Sequence, residues 1–371
     1  MSLRVLVVDD TIVFRRAVSD ALAGQPGIEV VGTASNGKLA LARMAALQPD
    51  LLTLDIEMPE MNGIEVLQAI HAAGSNVGAI VLSSLTTRGG EMTMRALELG
   101  AFDFLTKPDG GGAAENVNLL RSRLSPMIRA YERRREIRTI LQHGLPAGPQ
   151  RPAKEAPHIT PLPSVVIERP ARTAPCPGPP FVLIGVSTGG PVALARLLPA
   201  LPRDLGAPVF IVQHMPKMFT AALAASLAAK SAIRVKEGTD GEQAIANCAY
   251  IAPGGMQMKL APGPRGEVTI RITEDPPENN CRPAVDYLFR SAAIHFPGRA
   301  VAAILTGMGN DGTAGLRLLK RGGCVALAQD EASCVVFGMP KEAILAGVVD
   351  AVEPLDRMAA AIVRSLRGVQ V

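Results

Sequence analysis

The chain has 371 residues, a formal net charge of +4, 3 Tyr, 9 Phe and no Trp. This length is enough for two domains with cores of their own, and the scarcity of aromatic residues argues against a surface that stacks nucleic-acid bases. The five cysteines form no C-x-x-C pair, which favours reduced thiols. Asp9 and Asp10 interrupt the first apolar run, and no later run reaches membrane-spanning length. We therefore expect a cytoplasmic protein that neither inserts into membranes nor binds nucleic acid.

Short apolar runs alternate with segments of helical length in the first 108 residues. The runs have the length and β-branched content of buried strands, and they lie at residues 4–8, 29–33, 50–55, 79–84 and 101–108. Strands separated by helices form parallel sheets with right-handed crossovers. The pattern predicts an α/β domain of the (βα)5 type.

Acidic, hydroxyl and basic side chains follow the ends of these predicted strands. They are Asp9, Asp10, Asp55, Ser83 and Lys107, and the carboxyl ends of parallel strands meet at one edge of the sheet. Clustered carboxylates repel one another and favour a hard divalent cation with oxygen ligands. Asp10 and Asp55 would hold Mg²⁺, and an oxygen of Asp55 would attack a phosphoryl group. The alternative is a solvated loop edge, which is acidic only because loops are polar.

The segment from Leu54 to Gly63, LDIEMPEMNG, resembles the phosphoacceptor loop of response-regulator receiver domains. The resemblance covers residues 1–120 and implies that Asp55 accepts a phosphoryl group from a histidine kinase. It also implies that Asp9 and Asp10 lie on the metal side of the site. Ser83 would be the switch hydroxyl, and Lys107 would contact the phosphate. In that family the peptide bond corresponding to Lys107–Pro108 is usually cis.

Arginine and then proline become abundant between the two halves of the chain. Residues 121–142 are rich in arginine and could prolong the last helix, with Pro126 as an interruption. Residues 144–180 hold 11 of the 30 prolines, so they cannot bury a core and should form an extended, mobile tether. A basic arm that touches nucleic acid is the alternative, but interleaved aromatic residues are missing. The predicted domains and linker are 1–125, 126–179 and 180–371.

Ser187 lies where a predicted strand turns into a helix in the second half of the chain. Residues 181–186 are apolar and partly β-branched, glycines follow the serine, and the pattern from Pro191 has helical spacing. A hydroxyl at a helix N-terminus can attack a carbonyl whose developing oxyanion meets free N–H donors. A nucleotide-phosphate loop or a plain tight turn would have the same pattern.

Two more predicted strands lead to polar residues of catalytic type. The run at 208–213 ends at His214, and the run at 300–306 precedes Asp311. Individually these could be a strand-end histidine and a helix N-cap aspartate. Together with a hydroxyl at one sheet edge, they are better explained by nucleophilic catalysis. We predict a doubly wound, mostly parallel α/β domain with an antiparallel hairpin at 256–273.

The run from Gly185 to Gly189 also fits the G-x-S-x-G pattern of α/β-hydrolases. In that family the acid precedes the histidine in the chain, whereas Asp311 follows His214. Pairing His295 with an earlier aspartate (Asp204, Asp240 or Asp275) would restore the order, but His295 is predicted to lie in a helix. The chain order therefore argues against that family.

Four segments of the second half resemble motifs of the CheB protein-glutamate methylesterase family: IGVSTGG at 184–190, VQHMP at 212–216, LTGMGNDG at 305–312 and AQDEASCVVFGMP at 328–340. The resemblance implies a triad of Ser187, His214 and Asp311, with the oxyanion bound by the backbone N–H groups of Thr188 and Met308. It implies cofactor-free hydrolysis of glutamate γ-methyl esters, and deamidation of glutamines, on membrane chemoreceptors. The receiver would cover the catalytic edge until it is phosphorylated.

Two rival functions belong to other classes. A transcription regulator would need a helix-turn-helix after residue 180, where the sequence instead has strand–glycine–helix units. A chemosensory adaptor with an inactive catalytic domain would not need the three triad residue types. Neither the receptors, the kinase nor the oligomeric state follows from the sequence.

Overall fold

The computed structural model describes residues 2–143 and 178–369 of the chain. The predicted tether at 144–180 therefore lies almost entirely outside the described residues. Within those residues, no helix combines the length and the apolar character needed to cross a bilayer.

Strands and helices alternate along residues 2–143, as the pattern predicts. The strands of this part are β1 (Leu3–Val8), β2 (Ile28–Ala34), β3 (Leu51–Asp55), β4 (Gly78–Ser83) and β5 (Asp103–Thr106). The helices are α1 (Ile12–Leu22), α2 (Gly37–Leu47), α3 (Gly63–Ala72), α4 (Thr87–Glu98) and α5 (Ala113–His143). The strands pair in parallel in the order β2-β1-β3-β4-β5, which confirms the (βα)5 prediction.

The register of the central strands places acidic residues at one edge of this sheet. Every residue of β3 is buried, because helices cover both faces of the sheet. Val8 pairs with Leu54, and Asp55 pairs with Leu82. Asp9 and Asp55 consequently emerge side by side at the carboxyl ends of β1 and β3.

Helix α5 continues well past the predicted domain boundary at residue 125. It runs without a break from Ala113 to His143 and includes Pro126. The proline removes one backbone donor, but the flanking side chains Leu124 and Ile128 are fully buried in the core of the first domain. This burial holds the helix in place on both sides of the proline, so the interruption expected at Pro126 does not occur.

Residues 178–369 form a second α/β domain. Its strands are β6 (Phe181–Val186), β7 (Val209–Gln213), β8 (Arg234–Glu237), β9 (Cys248–Ile251), β10 (Gln257–Pro262), β11 (Val268–Thr273), β12 (Ala300–Ile304), β13 (Val325–Gln329) and β14 (Ala351–Glu353). Its helices are α6 (Gly190–Leu197), α7 (Phe219–Ala228), α8 (Val285–His295), α9 (Thr313–Arg321), α10 (Met339–Leu345) and α11 (Leu355–Val369).

The main sheet of this domain is parallel and has the order β14-β13-β12-β6-β7-β9-β8. Strands β10 and β11 form the predicted antiparallel hairpin as a separate sheet. Strand β6 lies between β7, which follows it in the chain, and β12, which comes much later. The strand order reverses at this point, and ligand sites of doubly wound sheets lie at such switch points.

The first domain packs on the second domain through α4 and β5. The ring of Phe104 stacks on Phe219 with centroids 5.0 Å apart. Glu98, at the end of α4, accepts a hydrogen bond from Ser226 at 2.7 Å and forms an ion pair with Lys230. The contact therefore combines an aromatic centre with a charged rim.

Candidate active site

Ser187 is the first residue after β6, at the turn that leads into α6. Its N–H donates to the Thr306 carbonyl oxygen at 3.0 Å, and its own carbonyl oxygen accepts from Gln213 Nε2 at 3.0 Å. Gly189 completes the turn with a φ of +74°, and a side chain there would also overlap Val335. The local sequence thus presents a half-buried hydroxyl at the start of a helix.

His214 follows β7, the strand next to β6. Val186 pairs with Gln213 in the sheet, so Ser187 and His214 occupy equivalent positions just beyond two adjacent parallel strands. The His214 N–H donates to the Val186 carbonyl oxygen at 3.1 Å. Adjacent strands are about 4.8 Å apart, which brings the serine and histidine backbones side by side.

Asp311 follows β12, on the other side of β6, and its carboxylate accepts four hydrogen bonds. Oδ2 accepts from the Val285 N–H and from His214 Nε2, both at 2.7 Å. Oδ1 accepts from the Asp286 N–H at 3.0 Å and from Asn279 Nδ2 at 2.8 Å. A carboxylate held by this many donors keeps its charge and its orientation.

Asp311 does not cap the helix that follows it, although an N-cap was the alternative role considered for this aspartate. The N-cap residue of α9 is Gly312, with no side-chain hydrogen bond. The carboxylate instead accepts the first two N–H groups of α8, at Val285 and Asp286. The N-terminal end of a helix dipole favours a negative charge, so α8 stabilises the ionised Asp311.

Two opposed pKa shifts characterise the His214–Asp311 pair. Burial alone would raise the pKa of Asp311, but hydrogen bonds from His214 and the backbone hold it below its usual value. Burial alone would lower the pKa of His214, but its contacts with Asp311 and Cys281 raise it to about 9. At neutral pH the resting pair is therefore an imidazolium and a carboxylate.

The two ring nitrogens of His214 face different partners. Nε2 contacts Asp311, while Nδ1 lies 3.6 Å from Cys281 Sγ. Within the described part of the chain, the Ser187 hydroxyl makes no hydrogen bond to His214. The predicted histidine and aspartate are therefore hydrogen-bonded to each other. The predicted serine lies beside them but makes no hydrogen bond to the histidine. Such bonds are often long in ligand-free enzymes and tighten with substrate.

The backbone N–H groups predicted to bind the oxyanion, those of Thr188 and Met308, have no acceptor among residues 2–143 and 178–369. Gly307 lets the loop that carries Met308 approach the serine. A Cβ atom at Gly307 would lie 2.8 Å from Ser187 Cβ and 2.4 Å from Met339 Sδ. Both N–H groups are therefore free to donate to a ligand, and the Met308 loop lies next to Ser187.

His295, the alternative histidine, lies far from this site. It is the exposed last residue of α8, whereas Asp311 contacts the first residues of the same helix. Eleven helical residues span about 15 Å. The alternative that pairs His295 with Ser187 is therefore wrong.

Cys281 and Asn279 also contact the site, and sequence analysis missed both. They lie between β11 and α8, where Asn279 has a φ of +52°. Cys281 and Glu278 exchange two backbone hydrogen bonds, at 3.1 and 2.8 Å, which fix this turn. The consecutive asparagines at 279 and 280 indicate a turn, but no spacing rule connects that turn to the strand ends.

Lys107 lies between two carboxylates of the predicted phosphorylation site. Its Nζ is 2.8 Å from Asp9 Oδ2 and 2.7 Å from Asp55 Oδ2. Burial raises the pKa of Asp55 to about 6, although Lys107 opposes this shift. The Lys107–Pro108 bond is trans, so the cis expectation is wrong. The lysine side chain reaches both acids without it.

Oxygen atoms of Asp9, Asp10 and Asp55 lie within 4.8 Å of one another. Asp9 and Asp55 are buried, and Asp10 is exposed at the mouth of the group. Mg²⁺ prefers carboxylate oxygens and keeps several of its waters. This set of donors, with one side open to solvent, therefore fits the ion implied by the receiver resemblance.

Ser83 is buried and faces α4. Its hydroxyl accepts a hydrogen bond from Thr93 Oγ1 at 2.9 Å and donates to the Gly89 carbonyl oxygen at 3.2 Å. The predicted switch hydroxyl is therefore bound to the helix that packs on α7.

Asp103, at the start of β5, is a further residue that sequence analysis missed. Its buried carboxylate accepts a hydrogen bond from the Phe104 N–H at 2.9 Å, and the Thr188 side chain lies close enough to oppose the rise of its pKa. Burial raises the pKa of Asp103 to about 7. The receiver thus touches the residue that follows Ser187, a contact between domains that no local pattern predicts.

Comparisons with known proteins place the chain in a family. The family model described as CheB methylesterase matches residues 182–362, and that of the response regulator receiver domain matches residues 5–113. A protein-glutamate methylesterase/protein-glutamine glutaminase of Desulfotalea psychrophila is 49% identical and covers 99% of each chain. Its Bacillus subtilis counterpart is 42% identical over 97% of each.

A solved structure supports the same assignment for the second domain. The catalytic domain of Thermotoga maritima CheB methylesterase is 40% identical, covers 51% of this chain and 99% of its own, and has a TM-score of 0.50. The chain therefore belongs to the CheB methylesterase family, with a response regulator receiver domain ahead of the catalytic domain.

Proposed function

We propose that the protein is a phosphorylation-regulated serine esterase that hydrolyses glutamate γ-methyl esters on chemoreceptors and deamidates receptor glutamines. The observation that carries this proposal is the placement of Ser187, His214 and Asp311 beyond three adjacent parallel strands. In a chain of the CheB methylesterase family, this is the arrangement that acyl transfer requires.

The chemistry begins with attack of the Ser187 hydroxyl on the ester carbonyl. Asp311 accepts a hydrogen bond from the N–H group at Nε2 of His214, which leaves Nδ1 as the atom that takes the serine proton. The imidazolium must first give its Nδ1 proton to water. The Ser187 hydroxyl, which makes no hydrogen bond among the described residues, then rotates towards Nδ1 while Nε2 stays on Asp311, because such hydrogen bonds tighten when substrate binds.

The oxyanion is stabilised by the free N–H groups of Thr188 and Met308. Collapse of the tetrahedral intermediate expels methanol from an ester, or ammonia from an amide, and leaves a glutamyl-serine ester. Water then attacks this ester with His214 as the base, and glutamate and free Ser187 are regenerated. The direct experiment is to incubate the protein with receptor membranes carrying labelled methyl groups and to count volatile methanol.

The receiver is proposed to accept its phosphoryl group from a histidine kinase at Asp55, with Mg²⁺ held by Asp9, Asp10 and Asp55. The ion would neutralise phosphate charge, and Lys107 would contact the added oxygens. Ser83 would move from α4 towards the phosphate, which changes the helix that packs on the catalytic domain.

Phosphorylation of Asp55 by acetyl phosphate is expected to require Mg²⁺ and to disappear in Asp55→Asn. Phosphoprotein gels with and without EDTA measure this. EDTA should leave methanol release by residues 180–371 unchanged, because the triad needs no ion. Loss of that activity in EDTA would point to a metallohydrolase instead.

Removal of the receiver is expected to accelerate hydrolysis. Residues 180–371 should exceed the unphosphorylated full chain by about tenfold, which corresponds to only ~1.4 kcal/mol of domain contact. Acetyl phosphate with Mg²⁺ should accelerate the full chain but not Asp55→Asn. Glu98→Lys would place a positive charge beside Lys230 at the domain contact, so it should separate the domains and raise the rate of the unphosphorylated full chain. Glu29→Lys, on distant β2, should not change that rate. A catalytic domain no faster than the full chain would refute occlusion.

The degree of closure is expected to depend on pH through Asp103. The docked pKa of Asp103, about 7, lies above the ordinary value of about 3.9 for an exposed aspartate. Docking is therefore strongest when Asp103 is protonated in both states, weakens as the pH rises from about 4 to about 7, and is constant above that. The rate ratio of the full chain to residues 180–371 should increase between pH 5 and 7 and level off by pH 8, and Asp103→Asn should flatten it. An unchanged slope in that variant would contradict the assignment.

A further inference from the structure

Cys281 is a half-buried thiol that the proposed mechanism does not use. Its Sγ atom, a ring nitrogen of His214 and a carboxylate oxygen of Asp311 lie within 4.8 Å of one another. Sulfur, imidazole and carboxylate are the ligand types of zinc sites. This group is therefore distinct in chemistry from the all-carboxylate group of the receiver.

The spacing of Cys281 and His214 matches two ligands of one tetrahedral ion. Zinc lies about 2.3 Å from sulfur and about 2.0 Å from nitrogen, which separates the two ligand atoms by roughly 3.5 Å. Cys281 Sγ and His214 Nδ1 are 3.6 Å apart. The two ligand atoms therefore already have the separation that one shared ion requires.

The other ring nitrogen of His214, Nε2, has a carboxylate partner of the kind that metal-bound histidines have. Such residues donate their second N–H group to a carboxylate, which fixes the tautomer and increases ligand basicity. His214 Nε2 contacts Asp311 Oδ2 at 2.7 Å, so Nδ1 is the ring nitrogen near the thiol, and it offers a lone pair there once its proton is displaced. Asp311 is itself held by the N–H groups of Val285 and Asp286.

We propose that Cys281 and His214 form a binding site for a thiophilic divalent cation of the Zn²⁺ class, and that the bound ion inhibits the esterase. The cation displaces the thiol proton and the extra imidazole proton, and water completes its coordination. Bound Nδ1 can no longer take the Ser187 proton. The inhibitory half of this inference rests on the proposed function, whereas the binding half does not.

Cobalt binding tests the site directly. Co²⁺ is titrated into the full-length protein with excess Mg²⁺ to occupy the receiver carboxylates, and the thiolate-to-cobalt charge-transfer band is recorded. We expect the band in the wild type and in Cys334→Ser, a control that removes another half-buried free thiol. The band should be absent in Cys281→Ser and Cys281→Ala. A band of equal strength in those variants, or none in the wild type, would overturn the proposal.

Zinc inhibition tests the consequence. Each protein's methanol release in Zn²⁺ is compared with its own rate in EDTA, so that any basal effect of the substitution cancels. The zinc concentration for half-inhibition should rise about tenfold or more in Cys281→Ser, a typical loss for a weakened metal site, and stay unchanged in Cys334→Ser. Equal inhibition of all three proteins would refute the assignment. Absent activity in EDTA would refute the proposed function while the cobalt result stands.

Discussion

The Ser187→Ala protein is expected to release no measurable methanol from methylated receptors. Loss of the nucleophile in a serine-protease triad lowers the rate by ~10⁶-fold, and Ser187 has that role in the proposed mechanism. Its fold should be retained, because within residues 2–143 and 178–369 the hydroxyl makes no hydrogen bond. Thermal unfolding and receiver phosphorylation by acetyl phosphate should match the wild type.

A second substitution tests whether Ser187 and His214 act together in one catalytic step or contribute to the rate independently. His214→Gln should be comparably inactive, and the double variant should be no slower than either single one, because triad residues act as a unit. Ser231→Ala, which removes a hydroxyl of the same domain outside the site, should remain active. Near-normal turnover of Ser187→Ala would end its assignment as nucleophile.

The Asp311→Asn protein is expected to lose roughly 10⁴-fold in rate, the drop known for this change in a protease triad. Oδ2 accepts from both His214 Nε2 and the Val285 N–H, and an amide nitrogen at that position can accept neither. An NH₂ group facing His214 would force the ring proton onto Nδ1. The atom proposed to act as base would then carry a proton.

Asp286→Asn is the matched control for structural damage. Asp286 also lies at the start of α8, where its carboxylate accepts from the Gly315 N–H at 2.6 Å and from Asn279 at 2.9 Å. It makes no described contact with His214. Both variants should lose about 1–3 kcal/mol of stability through unsatisfied donors, but Asp311→Asn alone should show the large fall in rate. Equal falls would make the role of Asp311 structural.

Strand ends were the part of the site that sequence could predict. Ser187, His214 and Asp311 each follow an apolar run, and parallel strands bring their carboxyl ends to one edge. The alternation of strands and helices likewise predicted parallel sheets, and alternating residues around a proline- and glycine-rich turn predicted the hairpin. It did not predict that β12 pairs with β6, because strand order depends on packing between distant segments.

Residues of loops and of the domain contact could not be predicted. Cys281 reaches His214 only because a turn before α8 folds back over the sheet edge. Asp103 looked like an ordinary residue of β5, and its neighbour Thr188 belongs to the other domain. The length of α5 past Pro126 was also uncertain, since it depends on burial of Leu124 and Ile128 against the receiver.

The contact between Asp103 and Thr188 has a kinetic consequence. Under the proposed function, the receiver and the substrate compete for the same place, because Asp103 lies against Thr188 and the Thr188 N–H is proposed to stabilise the oxyanion. We then expect the receiver to act as a tethered competitive inhibitor whose strength is set by its effective concentration. Activation should accordingly lower KM and leave kcat nearly constant. Densely clustered receptors would open the protein by mass action even before Asp55 is phosphorylated.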